Sequence, residues 1–303
     1  MTRAPQIGFL ADGTRLHLQD GPIDLIVEAS GSPANIRAAY AAAARRFTGL
    51  LDELCGELPL LRQAAHPARC LLQGNVARRM HDAVMPFAAD CFITPMAAVA
   101  GAVAEEILGA MVENAELDRA YVNNGGDIAL HLSDSEHFTV GLADLPDARG
   151  LLRTMVVHAD DPARGVATSG RHGRSFSLGI ADAVTVLART ASQADAAATI
   201  IANAVDLPGH PKVTRRPACD LQLDSDLGTR LVTRDVGALS PGEIEDALGA
   251  GAASARKLLA AGLIDGAALR LHGEMIVVGA RTVELPGLRA SLRGRAAESA
   301  LHV

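Results

Sequence analysis

The stretch Ala120-Tyr-Val-Asn-Asn-Gly-Gly-Asp-Ile-Ala-Leu-His-Leu132 sets two apolar segments on either side of a polar, glycine-rich turn. Its pattern is that of a hairpin: Ala120–Val122 and Asp127–Leu132 read as strands, and Asn-Gly is the strongest short-range hairpin signal. Two adjacent glycines allow positive φ and leave no side chains in the way. The same turn is also suited to a ligand pressed on the main chain, with Asn and Asp supplying polar atoms. Both readings stay open on this segment alone.

Working outward gives the fold class. Downstream, His137–Leu142 and Leu152–Val157 read as further strands. Upstream, Thr94-Pro95 is a helix start, and Met96 to Val112 is apolar on nearly every face until Glu105 and Glu106. A helix apolar all round is packed on all sides. The most apolar run, Cys91 to Ala104, contains Pro95 and is shorter than the ~18 residues a membrane span needs, so it reads as a buried helix. Further upstream, Arg62–Gly74 reads as irregular, Ser32-Pro33 opens one long helix over Ala34–Leu54, and Thr14–Leu18, Asp20–Pro22 and Ile23–Val27 make a hairpin. Helices grouped between strand pairs indicate an α+β fold with antiparallel sheets rather than a doubly wound parallel one. Beyond the central strands, Val166–Thr168 and Ala183–Leu187 read as strands. Ser192–Ala204 reads as a helix capped by Ser192 with Asp195 at the third position. Leu207–Asp226 reads as a linker, and Ser225–Gly228 with Leu231–Asp235 as a polar strand region. Ser240-Pro241 opens a helix to Ala261, Ala267–Val278 is a last hairpin, and Arg289–Val303 a loose tail.

Composition narrows the classes. The chain has 303 residues, 49% hydrophobic and 21% charged, which is too apolar for a disordered protein. A net charge of -7 and a pI near 5.8 argue against a sequence-independent grip on nucleic acid. Lys212 and Lys257 are the only lysines, and tryptophan is absent. Cys55, Cys70, Cys91 and Cys219 share no C-x-x-C spacing, so neither a zinc knuckle nor a redox pair is supported. The first residues carry no apolar h-region, which gives a cytoplasmic expectation with no membrane partner.

Three segments carry chemistry. In the first, Asn124, Gly125, Gly126 and Asp127 surround the hairpin turn. In the second, Gly165–Gly170 ends a strand in Thr168, Ser169 and Gly170, with Arg171, His172 and Arg174 next; N–H groups, hydroxyls and cations together suit a phosphate. In the third, Asp195 and Thr199 stand at i, i+4 on one helix face, two oxygens suited to a hard cation such as Mg²⁺. His66, His81 and Asp82 read as surface groups, each a weaker acid–base candidate.

Taken in order, Asn123-Asn-Gly-Gly-Asp127, Ala167-Thr-Ser-Gly170 and Ala194-Asp195 with Thr199 resemble the motifs of the ApbE family, the FAD:protein FMN transferases, and most of all its short cytoplasmic relatives. The resemblance covers residues 90 to 205. It implies two T-fold-like halves with FAD or FMN between them and Mg²⁺ on the pyrophosphate. The family's metal ligands fall on Asp195, Thr199 and the carbonyl of Ala100. Asp195 and His172 are then the catalytic candidates, and Asn124, Gly125, Gly126, Asp127, Thr168, Ser169, Gly170 and Arg174 line the nucleotide. Two departures stand out. The family's Gly-Gly-Ile-Ala-Lys-Gly is Ala97-Ala-Val-Ala-Gly-Ala102 here, with Gly101 in place of the lysine. Its His-His-x-x-x-Pro is replaced by Ser175-Phe-Ser-Leu-Gly-Ile-Ala181.

The expectation is one unit over 1–303: a first α+β half over 1–145, the core of a second over 146–206, and a linker, helix and hairpin over 207–303 completing it. The partner is a nucleotide or other small anionic ligand, and the C-terminal hairpin and helix suit a homodimer. The function expected is flavin-nucleotide binding with Mg-dependent FMN transfer or FAD pyrophosphatase activity. The alternatives are a non-flavin enzyme on the same scaffold and a non-catalytic assembly protein.

Overall fold

A computed structural model describes residues 4–66, 70–143, 151–279, 283–284 and 300–302. Strands β1 (Gln6–Phe9), β2 (Leu16–Asp20) and β3 (Ile23–Ser30) form an antiparallel meander in which Asp20 faces Ile23 across the Gly21-Pro22 turn. Helices α1 (Pro33–Phe47), α2 (Leu50–Leu61), α3 (Asn75–Val84) and α4 (Val99–Val112) follow, then β4 (Arg119–Asn124) and β5 (Asp127–Leu132). A hairpin of β6 (His137–Ala143) and β7 (Leu151–His158) leads to β8 (Gly165–Ser169), β9 (Ala183–Ala188) and helix α5 (Ala191–Ala204). A ribbon of β10 (Val213–Pro217) and β11 (Leu231–Val236) encloses the one-turn α6 (Ala218–Leu221). Helix α7 (Pro241–Ala260), β12 (Gly266–Leu271) and β13 (Glu274–Val278) complete the main body, and β14 (Val283–Glu284) and β15 (Ala300–His302) pair with β7 and β6.

Nine strands join in one sheet of order β1-β2-β3-β4-β5-β8-β9-β12-β13, every neighbouring pair antiparallel. Strand pair, helices, strand pair therefore occurs twice along the chain, and the two runs meet where β5 pairs with β8. Alternation along each strand divides the sheet's residues between two cores. Leu18, Leu25, Val27, Val122, Ala129, Ala167, Val184, Val186 and Leu269 face the helices. Ile128, Leu130, Val166 and Leu187 face the other way, against Phe138, Val140, Met155 and Val157 of the β6–β7 hairpin. Pro95–Val112 is apolar enough to cross a membrane by composition. In this fold α4 is instead wedged between α1, α3, α5 and the sheet, with Ala102, Val103, Ala104, Ile107 and Met111 buried.

The antiparallel α+β class stands, and five local readings are corrected. The helix expected over 34–54 is two helices, because Gly49 takes φ 85 and breaks the chain there. The helix that opens at Thr94 begins as a 3-10 turn over Pro95–Ala98. Helix α5 is capped by Thr190, whose hydroxyl accepts from Gln193 N–H, rather than by Ser192. The 207–226 linker holds β10 and α6, paired with the polar region 231–236. His81 is buried at 7% exposure. Of the expected tail, residues 289–299 and 303 lie outside the described residues, and 300–302 form a strand parallel to β6.

Candidate functional site

The β4–β5 turn is built for close approach. Gly125 and Gly126 take φ 66 and 110, and the Gly126 N–H donates to Asn123 Oδ1 at 2.8 Å. The two residues flanking the glycines share the helix-facing side of the sheet with Val122 and Ala129, so Asn124 and Asp127 point toward the helix layer. Asn124 Nδ2 donates to the Ala100 carbonyl at 3.2 Å, and Asp127 Oδ1 accepts the Thr168 N–H at 3.1 Å. The hairpin turn is thereby tied to the start of α4 and to the end of β8.

Asp195 reaches the same place from α5. Its Oδ2 accepts the Gly101 N–H at 3.0 Å, one residue past the Ala100 carbonyl. That contact needs α4 and α5 to meet at their N-termini. Gly101 permits it: a Cβ there would collide with the backbone of Ala191. No side chain fits at position 101 without displacing that backbone. Ser192 N–H adds a second link, donating to Glu105 at 2.6 Å. Glu105 and Glu106 in turn pair with Arg79, and Glu106 also with Arg46. Burial alone would raise the Glu106 carboxyl, but hydrogen bonds from Arg46 and Arg79 hold it below its ordinary range.

The two aspartates are close enough to disfavour each other's charge. Burial pushes the Asp195 carboxyl well above the usual range and Asp127 pushes it further, outweighing the main-chain N–H donors of Gly101 and Ala100. Burial also pushes Asp127 up, opposed by the Thr168 N–H and the Arg174 charge. The Arg174 guanidinium lies directly over Gly125, in the space a side chain at that position would fill. Paired carboxyls, a carbonyl and a cation at a glycine turn form a polar cluster that can share a proton, hold a cation or meet an anion.

The structure brings together Ala100, Asn124, Gly125, Asp127, Arg174 and Asp195, with Thr168 taking part through its main chain. The Thr168 side chain points to the opposite face and its hydroxyl meets that of Thr185 at 2.8 Å. Ser169, one residue on, shares the helix-facing side with Ala167. Gly170 and His172 are engaged elsewhere: Gly170 packs on the main chain of Asp182, and His172 Nε2 stands 3.3 Å from the Asp182 carboxylate. Arg171 pairs with that carboxylate at 2.7 Å, making Asp182 a hub that motif reading overlooked. Thr199 is half-buried one turn beyond Asp195 on α5. The mutual effect of Asp127 and Asp195 was also missed, since 68 positions separate them in the chain.

Oxygen donors suit a hard divalent cation, and the buried Asp127 carboxyl with the half-buried Asp195 carboxyl, whose ionisation it opposes, is the donor set such an ion would relieve. Asp195, Asp127, the Ala100 carbonyl and the Thr199 hydroxyl fit Mg²⁺ on this chemistry. Among the described residues no group of three or more His, Cys, Asp or Glu side chains is gathered, so a main-chain or hydroxyl oxygen belongs to any such set.

Comparison with known proteins places these residues in a family. A sequence model of the family described as AbpE bacteria matches residues 7–277, which contain all three motifs. A UPF0280 protein of Methanopyrus kandleri is 37% identical over 155 residues, 50% of this chain and 59% of that protein. A UPF0280 protein of Methanothrix thermoacetophila is 45% identical over 115 residues, 37% and 46% of the two chains. A third, of Methanocella arvoryzae, is 31% identical over 200 residues, 65% and 76%. The chain spans about half the length of the first two curated relatives. The crystal structure of apo flavinyl transferase ApbE from Pseudomonas stutzeri superimposes over 92% of this chain and 96% of that one, at TM-score 0.35 and 10% identity. By the extent of the sequence match, the chain belongs to the family described as AbpE bacteria.

Proposed function

We propose that the chain binds a flavin nucleotide, FAD or FMN, at the β4–β5 turn and acts on its diphosphate with Mg²⁺, as an FMN transferase or an FAD pyrophosphatase. The observation that carries this reading is the convergence of Asp127 and Asp195 beneath a glycine turn covered by Arg174. Arg174 supplies a fixed positive charge for a phosphate oxygen. Asn124 and the Gly101 N–H hold the Ala100 carbonyl and the Asp195 carboxylate in place. The raised carboxyls keep a proton near neutrality and would lose it to solvent when a cation binds, and that cation would neutralise charge on the diphosphate. In the reaction a hydroxyl of water or of a Ser or Thr side chain attacks the phosphorus next to FMN. The bond to the bridging oxygen breaks, AMP leaves with that oxygen, and the hydroxyl's proton passes to a base. Asp195 is the proposed cation ligand, and His172, whose Nε2 stands 3.3 Å from the Asp182 carboxylate, is the candidate base.

The test is direct. Purified protein is mixed with FAD and Mg²⁺, and bound flavin is read by visible absorbance and AMP by chromatography. Saturable flavin binding and AMP release, both lost in Asp195→Ala, support the reading. Saturable Mg²⁺ binding with no flavin binding favours the second reading, an enzyme for another small anionic substrate. That reading has its own support in Gly101, where no lysine fits, and in Ser175–Ala181.

A further inference from the structure

One end of the nine-stranded sheet is β1, and all four residues of that strand are exposed. Ile7 is 45% exposed and Phe9 61%. They register with Leu18 and Leu16 of the helix-side core, so both side chains lie on the helix side of the sheet. There the Phe9 ring stands 5.9 Å from that of Tyr40 on α1. Exposed edges are commonly blunted by charges, a bulge or a covering element. Ala4–Phe9 carries no Asp, Glu, Lys or Arg, and β1 pairs with β2 without a bulge. At the other end of the sheet, β13 has Met275, Ile276 and Val277 half-buried and Val278 buried.

The backbone sets what this edge can bind. Leu10 N–H donates to the Arg15 carbonyl. Alternate residues of an antiparallel strand aim both backbone groups at the same neighbour, so Gln6 and Gly8 bond β2 while Ile7 and Phe9 aim theirs away from it. A twofold axis at Gly8 then makes the edge its own complement. Ile7 faces the partner's Phe9, and every outward N–H and C=O of the two residues finds an opposite number. Gly8 faces the partner's Gly8 in the close, non-hydrogen-bonded kind of pair. Within one chain nothing calls for glycine there: its φ is not positive, and a Cβ would meet nothing within 4 Å. Glycine weakens a strand interior, and the close approach of another backbone is a recurring reason for one.

We propose that β1 is a dimer interface, pairing antiparallel with β1 of a second copy of this chain about an axis at Gly8 and joining two sheets into one. Ile7 and the partner's Phe9 form an aromatic–β-branched cross-strand pair, and the symmetry makes it twice. A second copy is favoured over another protein because the self-match needs no residue outside Ile7–Phe9. The net charge of -7 opposes self-association, but the neutral edge brings no like charges face to face. A four-residue strand is a small contact beside the ~800 Å² per partner of a standard interface, so the dimer is weak and reversible, with a Kd on the order of 10–100 μM. This interface is independent of the nucleotide reading.

The experiment uses the full chain in sedimentation velocity, over concentrations that bracket that Kd. The native chain is expected to pass from monomer to dimer as concentration rises. Phe9→Lys puts a charge against the partner's Ile7 and should weaken the dimer at least about tenfold, whereas Phe9→Leu should stay within about threefold of the native chain. A second measurement reads the register. Gly8→Cys places two thiols across the close pair, where Cα atoms about 4.5 Å apart suit a disulfide, and mild oxidation should join the copies at position 8. Ile7→Cys should not join to itself, because position 7 faces position 9. Cys55, Cys70 and Cys91 are exposed in the native chain, so the joined peptide is identified by mass spectrometry. The proposal is overturned if the native chain stays monomeric throughout. It is equally overturned if Phe9→Lys dimerises as the native chain does, which would put the contact elsewhere, as at the C-terminal hairpin. Absence of a peptide joined at position 8 in Gly8→Cys, or equal joining in Ile7→Cys, also overturns it.

Discussion

Asp127 and Asp195 each oppose the other's ionisation, and this sets the behaviour of the protein without a cation. A carboxyl raised in the folded state is protonated there at pH values where the unfolded chain has lost its proton. The unfolded state then binds fewer protons, so stability falls as pH rises above the ordinary Asp range near about 4. Asp195→Asn is therefore expected to raise the melting temperature of the cation-free protein at pH 8 and to abolish the rise that Mg²⁺ gives the native chain. Equal Mg²⁺ shifts in both proteins, by differential scanning fluorimetry, would remove Asp195 from the metal site. Gly101 makes a second residue-scale prediction. Any side chain there meets the main chain of Ala191, which has nowhere to go between two helix starts. Gly101→Ala should cost at least about 3 kcal/mol in urea unfolding, well beyond a normal Gly→Ala change in a helix, which is favourable. These residues show how far the sequence could be read. The Asn-Gly-Gly-Asp turn and the Asp195–Thr199 face were visible as motifs, because each is local. The repulsion between Asp127 and Asp195 and the contact at Gly101 depend on the approach of distant elements, and no local pattern encodes that.

Caps and breaks decided how well individual elements could be placed. Helix α7 was legible at its start from Ser240-Pro241, and the structure adds a reciprocal capping box there, the Ser240 and Glu243 side chains each accepting from the other's backbone. Helix α5 was misjudged by two residues because Thr190 and Ser192 are both able to cap, and only the geometry of Gln193 N–H chooses between them. The break at Gly49 was hidden in an Ala/Leu-rich run, where a single glycine is tolerated as often as it terminates a helix. The alternation of β8 was legible, but its consequence, that the Thr168 hydroxyl and the Asp127 carboxylate lie on opposite faces, needed the sheet's orientation. The capping box carries a pH prediction. The Ser240 N–H, His210 and the Ser240 hydroxyl hold Glu243 down to about 2. A depressed carboxyl stabilises the fold above its unfolded value near about 4.3 and loses that effect as pH falls toward about 2. The melting temperature of Glu243→Gln should therefore lie below that of the native protein at pH 6 and converge with it near pH 2. A constant gap across that window would show that the charge of Glu243 is not what stabilises the helix start.

At the scale of the molecule, nine strands form one sheet with a core on each face, and both cores draw residues from β4, β5, β8, β9 and β12. Elements that share strands cannot melt separately, so unfolding is expected to be a single transition. The two tyrosines report on the two cores: Tyr40 belongs to the helix side and Tyr121 to the side of the β6–β7 hairpin. Near-ultraviolet dichroism of Tyr40→Phe and Tyr121→Phe should give superimposable urea curves once each is normalised to its own stability; two separated midpoints within one variant would show independent cores. The antiparallel class was legible from grouped helices, whereas the second sheet was not, because a strand pair looks alike whichever layer receives it. The sheet is also unevenly joined. Six residue pairs register β4 with β5, but only Ile128–Val166 and Ala129–Gly165 register β5 with β8. The bond from the Thr168 N–H to Asp127 continues that short ladder by means of a side chain. One proton on a backbone nitrogen thus sits on the line where the sheet is thinnest and is clasped by a group whose ionic state a bound guest would alter. Its rate of deuterium uptake is a natural gauge of whether the proposed ligand has reached Asp127.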